Sequence, residues 1–477
     1  MYSPKIKGGV LLMALLFCQY GYAQSDADFK TFSLNDLGAF LQPPENWIIA
    51  ADASSDFSKS NDMKAIEGVG AVVNDFSKNN RMHLYTKEQF GDIEVDLDFM
   101  MAKNSNSGVY LQGRYEIQLL DSWSRLNPTY SDAGGIYGRW NQQRGMYEGT
   151  APAMNVARAP GLWQHLHLKF RAPKFNEKGE KIRNARFEEV HLNGLLIQQA
   201  AFVTGPTASS MFQDEKETGP LVLQGDHGPV AFKSIRYRAL GPLREINEIR
   251  PNSLYWEYRN PIHINPQSKN YLLRSFFEYA HKKLTHVISV GSPQELNFAY
   301  DLKQGALLEI WRGKFLDVTR MWNDRGEAQL ATPLGSVILL SDAPTVAVLI
   351  NENIAWPNSV AFDDLQPHGY LLNKQRTPVF SYTILGTEVK DSIACEANGE
   401  GITRAITVAN PPVNLFCKVI DGKDIKQVSD HLYMVDDRTF YIRLDKKFAP
   451  IIRASEKGKE IIVRYNAADP LIYSIIW

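Results

Sequence analysis

The segment 104–121, which reads NSNSGVYLQGRYEIQLLD, constrains the fold of this chain more than any other part of the sequence. Polar and apolar side chains alternate along it, which predicts a tight turn followed by a strand with one apolar face. The apolar face carries Tyr115, Ile117 and Leu119, and the opposite face carries Gln112, Arg114, Glu116 and Gln118. Because amides, guanidinium and carboxylate groups all bind hydroxyls, we interpret the segment as part of a sugar-handling β-sandwich.

Short alternating segments recur along the first half of the chain and predict a mainly β fold. The Asn193–Gly194 pair is typical of a type I′ hairpin turn. Gly, Pro and Asn separate the segments at regular intervals, as in a jelly-roll sandwich. Residues 190–197 are predicted to form that hairpin, and the predicted strands are residues 92–99, 163–170, 221–224 and 232–238.

Composition and the N-terminus indicate an exported protein. Lys5 and Lys7 precede a short apolar run at 10–17, and small residues precede a cleavage point after Ala23, as in a signal peptide. Cys18 raises the alternative of a lipoprotein, although a bulky residue precedes it. No later apolar stretch is long enough to span a membrane. The formal net charge of -1 gives no general attraction to nucleic acid.

Changes in pattern divide the chain into five parts. A linker is expected where prolines break the pattern, and a second β-rich half follows it. The predicted parts are a signal peptide at 1–23, a jelly roll at 27–240, a linker at 241–260, a β-rich accessory region at 261–360 and a β-sandwich at 361–477. Within the last part, Cys395 and Cys417 either pair in an oxidising compartment or stay as free thiols, and both alternatives are open.

Several motifs in residues 29–240 resemble the 3-keto-disaccharide hydrolase family. Two signature segments stand here as residues 106–121 and 223–235, and shorter matches lie between them at 157–164, 170–173, 190–194 and 205–207. The resemblance implies a concanavalin A-like jelly roll. Residues 300–311 and 315–322 resemble the C-terminal extension of some exported bacterial members, for which no activity follows.

The resemblance also implies cleavage of a glycoside that is already oxidised to a ketone at sugar C3. The ketone acidifies the C2 hydrogen, so a base can form an enolate that expels the glycosidic oxygen from C1, and water can add afterwards. Such a site needs a base, donors at the ketone oxygen and an acid near the leaving group. The implied functional neighbours are an exported sugar oxidoreductase and a hydratase.

The candidate catalytic residues are His227, Glu116 and Arg114. His227 lies in a Gly-containing turn and is the first choice as base or metal ligand, with a structural turn histidine as the alternative. Glu116 is a base or metal ligand unless it only pairs with Arg114, which otherwise stabilises the enolate. Asp226 orients His227 or caps the turn. The expected substrate-binding residues are Gln112, Gln118, Gln224, Tyr137, Arg139, Trp140 and Tyr147.

Metal binding is left open by the sequence. A divalent cation could polarise the ketone, but no ligand spacing identifies its site. His165 and His167 share a strand face and lie near His191, yet no carboxylate at fixed spacing accompanies them. The four acids between residues 92 and 98 are interpreted as a solvated outer face, with cation binding as the alternative.

Two other functions compete with the elimination enzyme. A lectin-like protein on the same fold would bind sugar without a base. A conventional glycosidase would need two carboxylates across a cleft, and no such pair is visible in the sequence.

Overall fold

The computed structural model describes residues 28–241, 261–322, 329–466 and 469–477. The predicted signal peptide and residues 242–260 of the predicted linker lie outside the described residues. The strands of the first half are β1 Lys30–Thr31, β2 Trp47–Ser54, β3 Lys64–Asn74, β4 Leu84–Phe90, β5 Ile93–Met101, β6 Asn106–Leu111, β7 Tyr115–Leu120, β8 Arg139–Asn141, β9 Gly145–Tyr147, β10 Trp163–Arg171, β11 Lys174–Phe175, β12 Lys181–Arg183, β13 Ala185–Leu192, β14 Leu195–Val203, β15 Gly219–Leu223 and β16 Val230–Ala239.

Two antiparallel sheets form the jelly roll. The larger has the order β14-β13-β10-β5-β16-β3-β2, with β1 beside β16, and the smaller has the order β4-β15-β6-β7. Apolar residues from both sheets share one core, which includes Phe99, Leu168 and Phe232 from the larger sheet and Ile117 and Leu221 from the smaller. The alternation of apolar and polar residues therefore places one face of the smaller sheet in the core and turns the other away from it. The predicted fold class is confirmed.

The segment 104–121 is a hairpin rather than a turn followed by a single strand. Strands β6 and β7 pair from Asn106 opposite Leu120 to Leu111 opposite Tyr115. Gln112, Gly113 and Arg114 form the connecting turn, with φ values of 58° and 64° at Gln112 and Gly113. Gln112 and Arg114 therefore lie at the turn and not on the strand face to which their spacing assigned them. The predicted turn at Asn193–Gly194 is confirmed, with φ values of 51° and 81°.

The second half continues the β architecture. Its strands are β17 His263–Ile264, β18 Tyr271–Tyr279, β19 Lys282–Gly291, β20 Leu296–Asp301, β21 Ala306–Asp317, β22 Thr332–Leu339, β23 Val346–Val348, β24 Leu365–Leu372, β25 Pro378–Ile384, β26 Thr387–Cys395, β27 Gly401–Val408, β28 Leu415–Gly422, β29 Ile425–Ser429, β30 Leu432–Val435, β31 Phe440–Leu444, β32 Pro450–Ser455, β33 Gly458–Arg464 and β34 Leu471–Ile476. A short helix, α1 Thr319–Trp322, follows β21, and a 3-10 turn, Phe362–Asp364, precedes β24.

The described strands of this half form three sheets. Their orders are β17-β21-β20-β19-β18 with β22 beside β21, β23-β28-β33-β32, and β24-β25-β26-β27-β34-β31-β30-β29. One core joins Phe298 and Ile310 to Phe380, Ile442 and Ile475. That core crosses residue 360, where the sequence pattern suggested a boundary.

The two halves contact each other through hydrogen-bonded side chains. Arg438 of the second half donates from Nε to Asp52 of the jelly roll at 3.1 Å, and the Trp163 indole, also of the jelly roll, holds the other oxygen of Asp52 at 3.1 Å. The Trp123 indole donates to the Trp477 carbonyl at 2.8 Å. The second half is thus docked on the jelly roll.

Two remaining expectations concern the cysteines and the membrane. Cys395 and Cys417 are both free thiols, so the paired alternative is not observed. Within the described ranges, none of the helices has the length and apolar character needed to cross a bilayer.

Candidate active site

A row of side chains crosses the smaller sheet on the face turned away from the core. Sheet register places Tyr85 opposite Val222, Val222 opposite Tyr110, and Tyr110 opposite Glu116. The row continues into the loop after β7, because the Tyr137 amide donates to the Glu116 carbonyl at 3.1 Å. Three tyrosines and one carboxyl group therefore line a single band of the sheet.

Glu116 is the chemically unusual member of this row. Its side chain is buried, and burial raises the pKa of Glu116 to about 8, against the lowering effects of the Tyr110 hydroxyl and of His227. A carboxyl with this pKa is mostly protonated at neutral pH. Glu116 can therefore donate a proton where an ordinary glutamate could not.

Two amides lie beside this row. Gln118 faces the same side as Glu116 and donates from Nε2 to the Asn106 side-chain oxygen at 2.9 Å. The backbone N–H of Gln224 donates to the Gly108 carbonyl at 2.9 Å, which places Gln224 next to β6. The side-chain Oε1 of Gln224 is buried without a hydrogen-bond partner. A buried orphan acceptor of this kind suits a ligand hydroxyl.

The turn after β15 presents Asp226 and His227 at the edge of this face. His227 Nδ1 lies 2.5 Å from Asp226 Oδ1, and the His227 side chain is 51% exposed. The hydrogen bond with Asp226 raises the pKa of His227 above its ordinary value. Because Asp226 engages Nδ1, Nε2 is the ring nitrogen that is available to a substrate. His227 and Asp226 are also electrostatically coupled to Glu116.

Buried polar side chains hold this turn in place. Asn74 donates from Nδ2 to the carbonyls of Gly225 and Gly228 at 2.9 and 2.7 Å. Asn46 in turn donates to the Asn74 side-chain oxygen at 2.7 Å. Because these amides are fully buried, they fix the backbone on both sides of His227.

His83 is a further member of the site that the sequence analysis missed. Its Nδ1 accepts a hydrogen bond from the Gly225 amide at 3.2 Å and lies 3.8 Å from Asp226 Oδ1. Burial lowers the pKa of His83, so the ring is neutral at pH 7. No sequence pattern points to it, because His83 joins the site through the pairing of β4 with β15.

Gln112 and Arg114 lie at the other end of the hairpin. Gln112 donates from Nε2 to the Glu217 carbonyl at 2.8 Å, and Arg114 binds the Asp214 carboxylate at 2.7 Å and lies over the Phe212 ring. The suggested ion pair between Arg114 and Glu116 is therefore replaced by one with Asp214. Both side chains are engaged by the 212–217 segment.

The remaining loop candidates lie on the β8–β9 hairpin, which follows Tyr137 directly. Arg139 donates to the Thr204 hydroxyl at 2.5 Å and lies over the Tyr147 ring. Trp140 is paired with Met146 across the hairpin, and its side chain is 59% exposed. Of these residues, Trp140 is the one with a free aromatic surface for stacking.

The outer face of the larger sheet carries a charge ladder instead of a solvated acidic face. His165 Nε2 lies 3.1 Å from Asp96 Oδ2, and His167 Nε2 lies 3.1 Å from Glu94 Oε1. Arg238 also binds Glu94, at 2.7 Å, so Glu94 and Asp96 are buried. The expectation of a solvated face was wrong, because the pairing of β5 with β10 and β16 brings cations over the acids.

This ladder also supplies the carboxylates that sequence spacing did not show beside the histidines. The hydrogen bond with Asp96 is the largest effect that raises the pKa of His165 and of His167 to about 9. His191 contacts the His167 ring edge-on at a centroid distance of 5.6 Å. Across the described ranges, no group of three or more His, Cys, Asp or Glu side chains has an arrangement that could hold a metal ion.

Comparisons with known proteins agree with the motifs. Residues 45–238 match the family model described as a 3-keto-alpha-glucoside-1,2-lyase-like domain. The predicted family is thereby confirmed for this part of the chain, and the match supports a carbohydrate-active enzyme. A comparison with curated proteins found no match.

Solved structures with detectable likeness are distant. A provisionally assigned glycosyl hydrolase from Parabacteroides distasonis is 22% identical, with 45% of this chain and 84% of that chain covered and a TM-score of 0.32. A second one from that organism is 21% identical, with 44% and 99% covered and a TM-score of 0.31. The receptor binding domain of botulinum neurotoxin D is 8% identical, with 93% and 98% covered and a TM-score of 0.24.

Proposed function

We propose that residues 45–238, a domain of the 3-keto-alpha-glucoside-1,2-lyase-like family, cleave 3-keto-glycosides by removing the C2 proton and eliminating the glycosidic oxygen. The observation that carries the proposal is the coupling of a buried, protonated carboxyl, Glu116, to an exposed histidine–carboxylate pair, His227 and Asp226. Elimination needs one base and one acid with different protonation states at the same pH. These groups supply both.

His227 is the proposed base. The C2–H bond breaks, its proton moves to Nε2, and its electron pair forms the C2–C3 double bond of an enolate while the ketone oxygen becomes negative. Asp226 holds the ring with Nδ1 protonated and stabilises the imidazolium that forms. In free enzyme the raised pKa of His227 makes it a stronger base than an isolated histidine.

Glu116 is the proposed acid. When the enolate collapses, a double bond forms between C1 and C2, the C1–O bond breaks, and the leaving oxygen takes the Glu116 proton. The Tyr137 hydroxyl, Gln118 and Gln224 are the proposed contacts to sugar hydroxyls. The unpartnered Oε1 of Gln224 is an acceptor that a hydroxyl would satisfy.

The two competing functions fit these groups less well. A lectin needs hydroxyl-binding groups, but it gains nothing from a buried carboxyl that resists ionisation. A conventional glycosidase needs two free carboxyl groups, whereas the second carboxylate near Glu116, Asp226, is engaged by His227. No step of the proposal is routed through a metal ion.

The proposed cellular location rests on the sequence alone, and the proposed partner enzymes rest on the chemistry of the reaction. We propose export on the basis of the signal peptide at 1–23, to the periplasm or beyond the cell. An oxidoreductase acting on sugar C3 must supply the substrate, and a hydratase would consume an unsaturated product if this site does not hydrate it.

Incubating the mature chain, residues 24–477, with a 3-keto-glucoside and with the matching unoxidised glucoside tests the proposal. Release of the aglycone from the keto form alone is expected, and a parallel reaction with chelator determines whether a metal takes part. Binding without cleavage of either compound would favour the lectin function. Cleavage of the unoxidised glucoside would exclude the C2-proton mechanism.

A further inference from the structure

The second half of the chain contains a separate cavity of about 410 Å³. Strands β28, β32 and β33 form its floor, and the loop 351–358 forms one wall. Its volume lies within the range of small-molecule sites, about 300–1,000 Å³. The lining residues used below are Asn353, Trp356, Lys418, Asp421, Arg453 and Glu460.

Charged side chains of the floor are fixed before any ligand arrives. Lys418 is buried, and its Nζ lies 2.9 Å from Asp421 Oδ2 and 3.6 Å from Glu460 Oε2. The same Nζ lies 5.4 Å from the centroid of the Trp356 ring. Lys418, Asp421 and Glu460 are each more than nine-tenths buried. Burying three charged side chains costs free energy, so their position at the floor of a cavity calls for an explanation.

The wall of the cavity is also held in place. Arg453 donates from Nη1 to the carbonyls of Glu352 and Ile354 and from Nε to Glu460 Oε1 at 2.8 Å. The Trp356 indole donates to the Pro344 carbonyl at 2.8 Å, which fixes the orientation of its ring. One guanidinium thus ties the wall to the charged floor, and the cavity is preorganised.

Among the described residues, the carboxylates of the floor keep unused acceptor positions, and the buried Ser455 hydroxyl beside them has no hydrogen-bond partner. Asp421 Oδ1 accepts one bond, from Lys457 at 3.1 Å, and can accept another. Glu460 Oε2 lies 3.6 Å from Lys418 Nζ, which leaves it able to accept a hydrogen bond. The Lys418 ammonium, by contrast, faces two carboxylates and an indole. A ligand that donates hydrogen bonds therefore fits the floor.

The charges around the cavity disfavour an anionic ligand. The lining contains three cationic side chains and four carboxylates, so its formal charge is slightly negative. The cations are Lys418, Arg453 and Lys457, and the carboxylates are those of Asp342, Asp421, Glu456 and Glu460. Hydroxyl groups of a neutral ligand can donate to the free carboxylate positions and accept from the Asn353 amide.

We propose that this cavity is a second, non-catalytic binding site for a neutral saccharide. The site requires no ketone and no base, so the proposal is independent of the elimination chemistry assigned to the jelly roll. It would hold the enzyme on an oligosaccharide or glycan while the first domain acts. The role of the second half is then to raise the local concentration of substrate.

Calorimetric titration of the full mature chain with maltose, cellobiose and laminaribiose tests this site. The titrations use a His227→Ala background, so that binding in the jelly roll is weakened. We expect saturable binding of at least one disaccharide, and a Kd raised about tenfold or more by Asp421→Asn and by Asn353→Ala. Asn353 is exposed, so its replacement preserves folding even if the buried change does not.

Asp430→Asn is the matched control, because Asp430 forms an exposed ion pair with Lys446 away from the cavity. Its Kd should stay within about twofold of the parent value. The proposal is overturned if no disaccharide binds, if Asn353→Ala and Asp421→Asn bind as tightly as the control, or if glucuronate binds more tightly than the neutral sugars.

Discussion

The Glu116 carboxyl group lies across Gly108 of the neighbouring strand, where a Cβ atom would stand 2.3 Å from Glu116 Oε1. The absence of a side chain at residue 108 is therefore what gives the acid its place in the site. Tyr110, which is directly opposite Glu116 in the register, contacts the same carboxyl. Gly108 and Tyr110 on β6 thus determine where the carboxyl proton of Glu116 on β7 lies.

Replacing Gly108 with Ala should displace the Glu116 carboxyl and lower kcat for the 3-keto-glucoside by about tenfold or more. The backbone at residue 108 has ordinary strand geometry, so the added methyl acts on the carboxyl rather than on the chain. Steady-state kinetics measure the effect. Gly241→Ala is the control, because nothing lies within 4 Å of its added Cβ. Equal loss of activity in both variants would contradict the account.

Replacing Glu116 with Gln should lower kcat by about 10²-fold or more, since a general acid contributes roughly 10²–10⁴-fold. Unchanged activity would remove Glu116 from the mechanism.

The same change from Glu116 to Gln should stabilise the fold at alkaline pH. The folded pKa of about 8 is above the unfolded value of 4.5, so the favourable contribution is complete below pH 4.5 and is lost as pH rises through 8. A melting temperature at pH 9 at least about 3 °C above that of the parent is expected.

Replacing Asp226 with Asn should move the acid limb of the pH–rate profile. The His227 pKa is raised chiefly by its hydrogen bond with Asp226, so the parent kcat/KM should rise with pH through a value above 6.5. It should fall again near pH 8 as Glu116 ionises. In the variant the rising limb should shift to lower pH, with a maximal rate at least about tenfold smaller. If the rising limb of the variant's pH–rate profile lies at the same pH as in the parent, another group is the base.

The His165–His167 ladder should make folding stability depend on pH without affecting catalysis. Both folded pKa values are about 9 and exceed the unfolded value of 6.5. Their stabilisation is therefore complete below pH 6.5 and is lost as pH rises through 9. The groups that face these rings are Glu94, Asp96 and Asp98 on β5, Arg236 and Arg238 on β16, and Glu189 and His191 on β13.

Thermal unfolding of a His165→Asn, His167→Asn double variant checks this prediction. Because Glu116 shifts stability in the same direction, the parent and the double variant are compared in a Glu116→Gln background. The variant should melt lower than its parent at pH 6, and the difference should shrink by pH 10. A constant difference would mean that the two histidines do not titrate with folding.

The sequence predicted those parts of the fold that depend on local pattern. Strand β10 begins at the predicted Trp163, and the Asn193–Gly194 turn has the expected backbone, because alternation and turn residues are encoded within a few positions. Strand β34, Leu471–Ile476, lacks clear alternation and was missed, although it is central in its sheet. Its burial is imposed by its partner strands β27 and β31, which are distant in sequence.

The site was predicted only as far as neighbours in sequence determine it. Glu116 and His227 were proposed from the sequence, because the first stands in a patterned hairpin and the second in a Gly-containing turn, and the structure places them close enough to interact electrostatically. His83, Tyr85 and Asn74 were missed, since sheet pairing alone brings them to that turn. The alternative in which Arg114 pairs with Glu116 is not observed, for the same reason: Asp214, 100 residues away, binds the guanidinium.

The most direct test of the central proposal follows the hydrogen at sugar C2. A 3-keto-glucoside that carries deuterium at C2 is treated with the mature chain in ordinary water, and early product is analysed by mass spectrometry against an enzyme-free control for exchange. Elimination predicts a primary isotope effect on kcat/KM and loss of the deuterium at the rate of aglycone release, with both lost in His227→Ala. Product that keeps its deuterium, formed without an isotope effect, would contradict proton abstraction at C2.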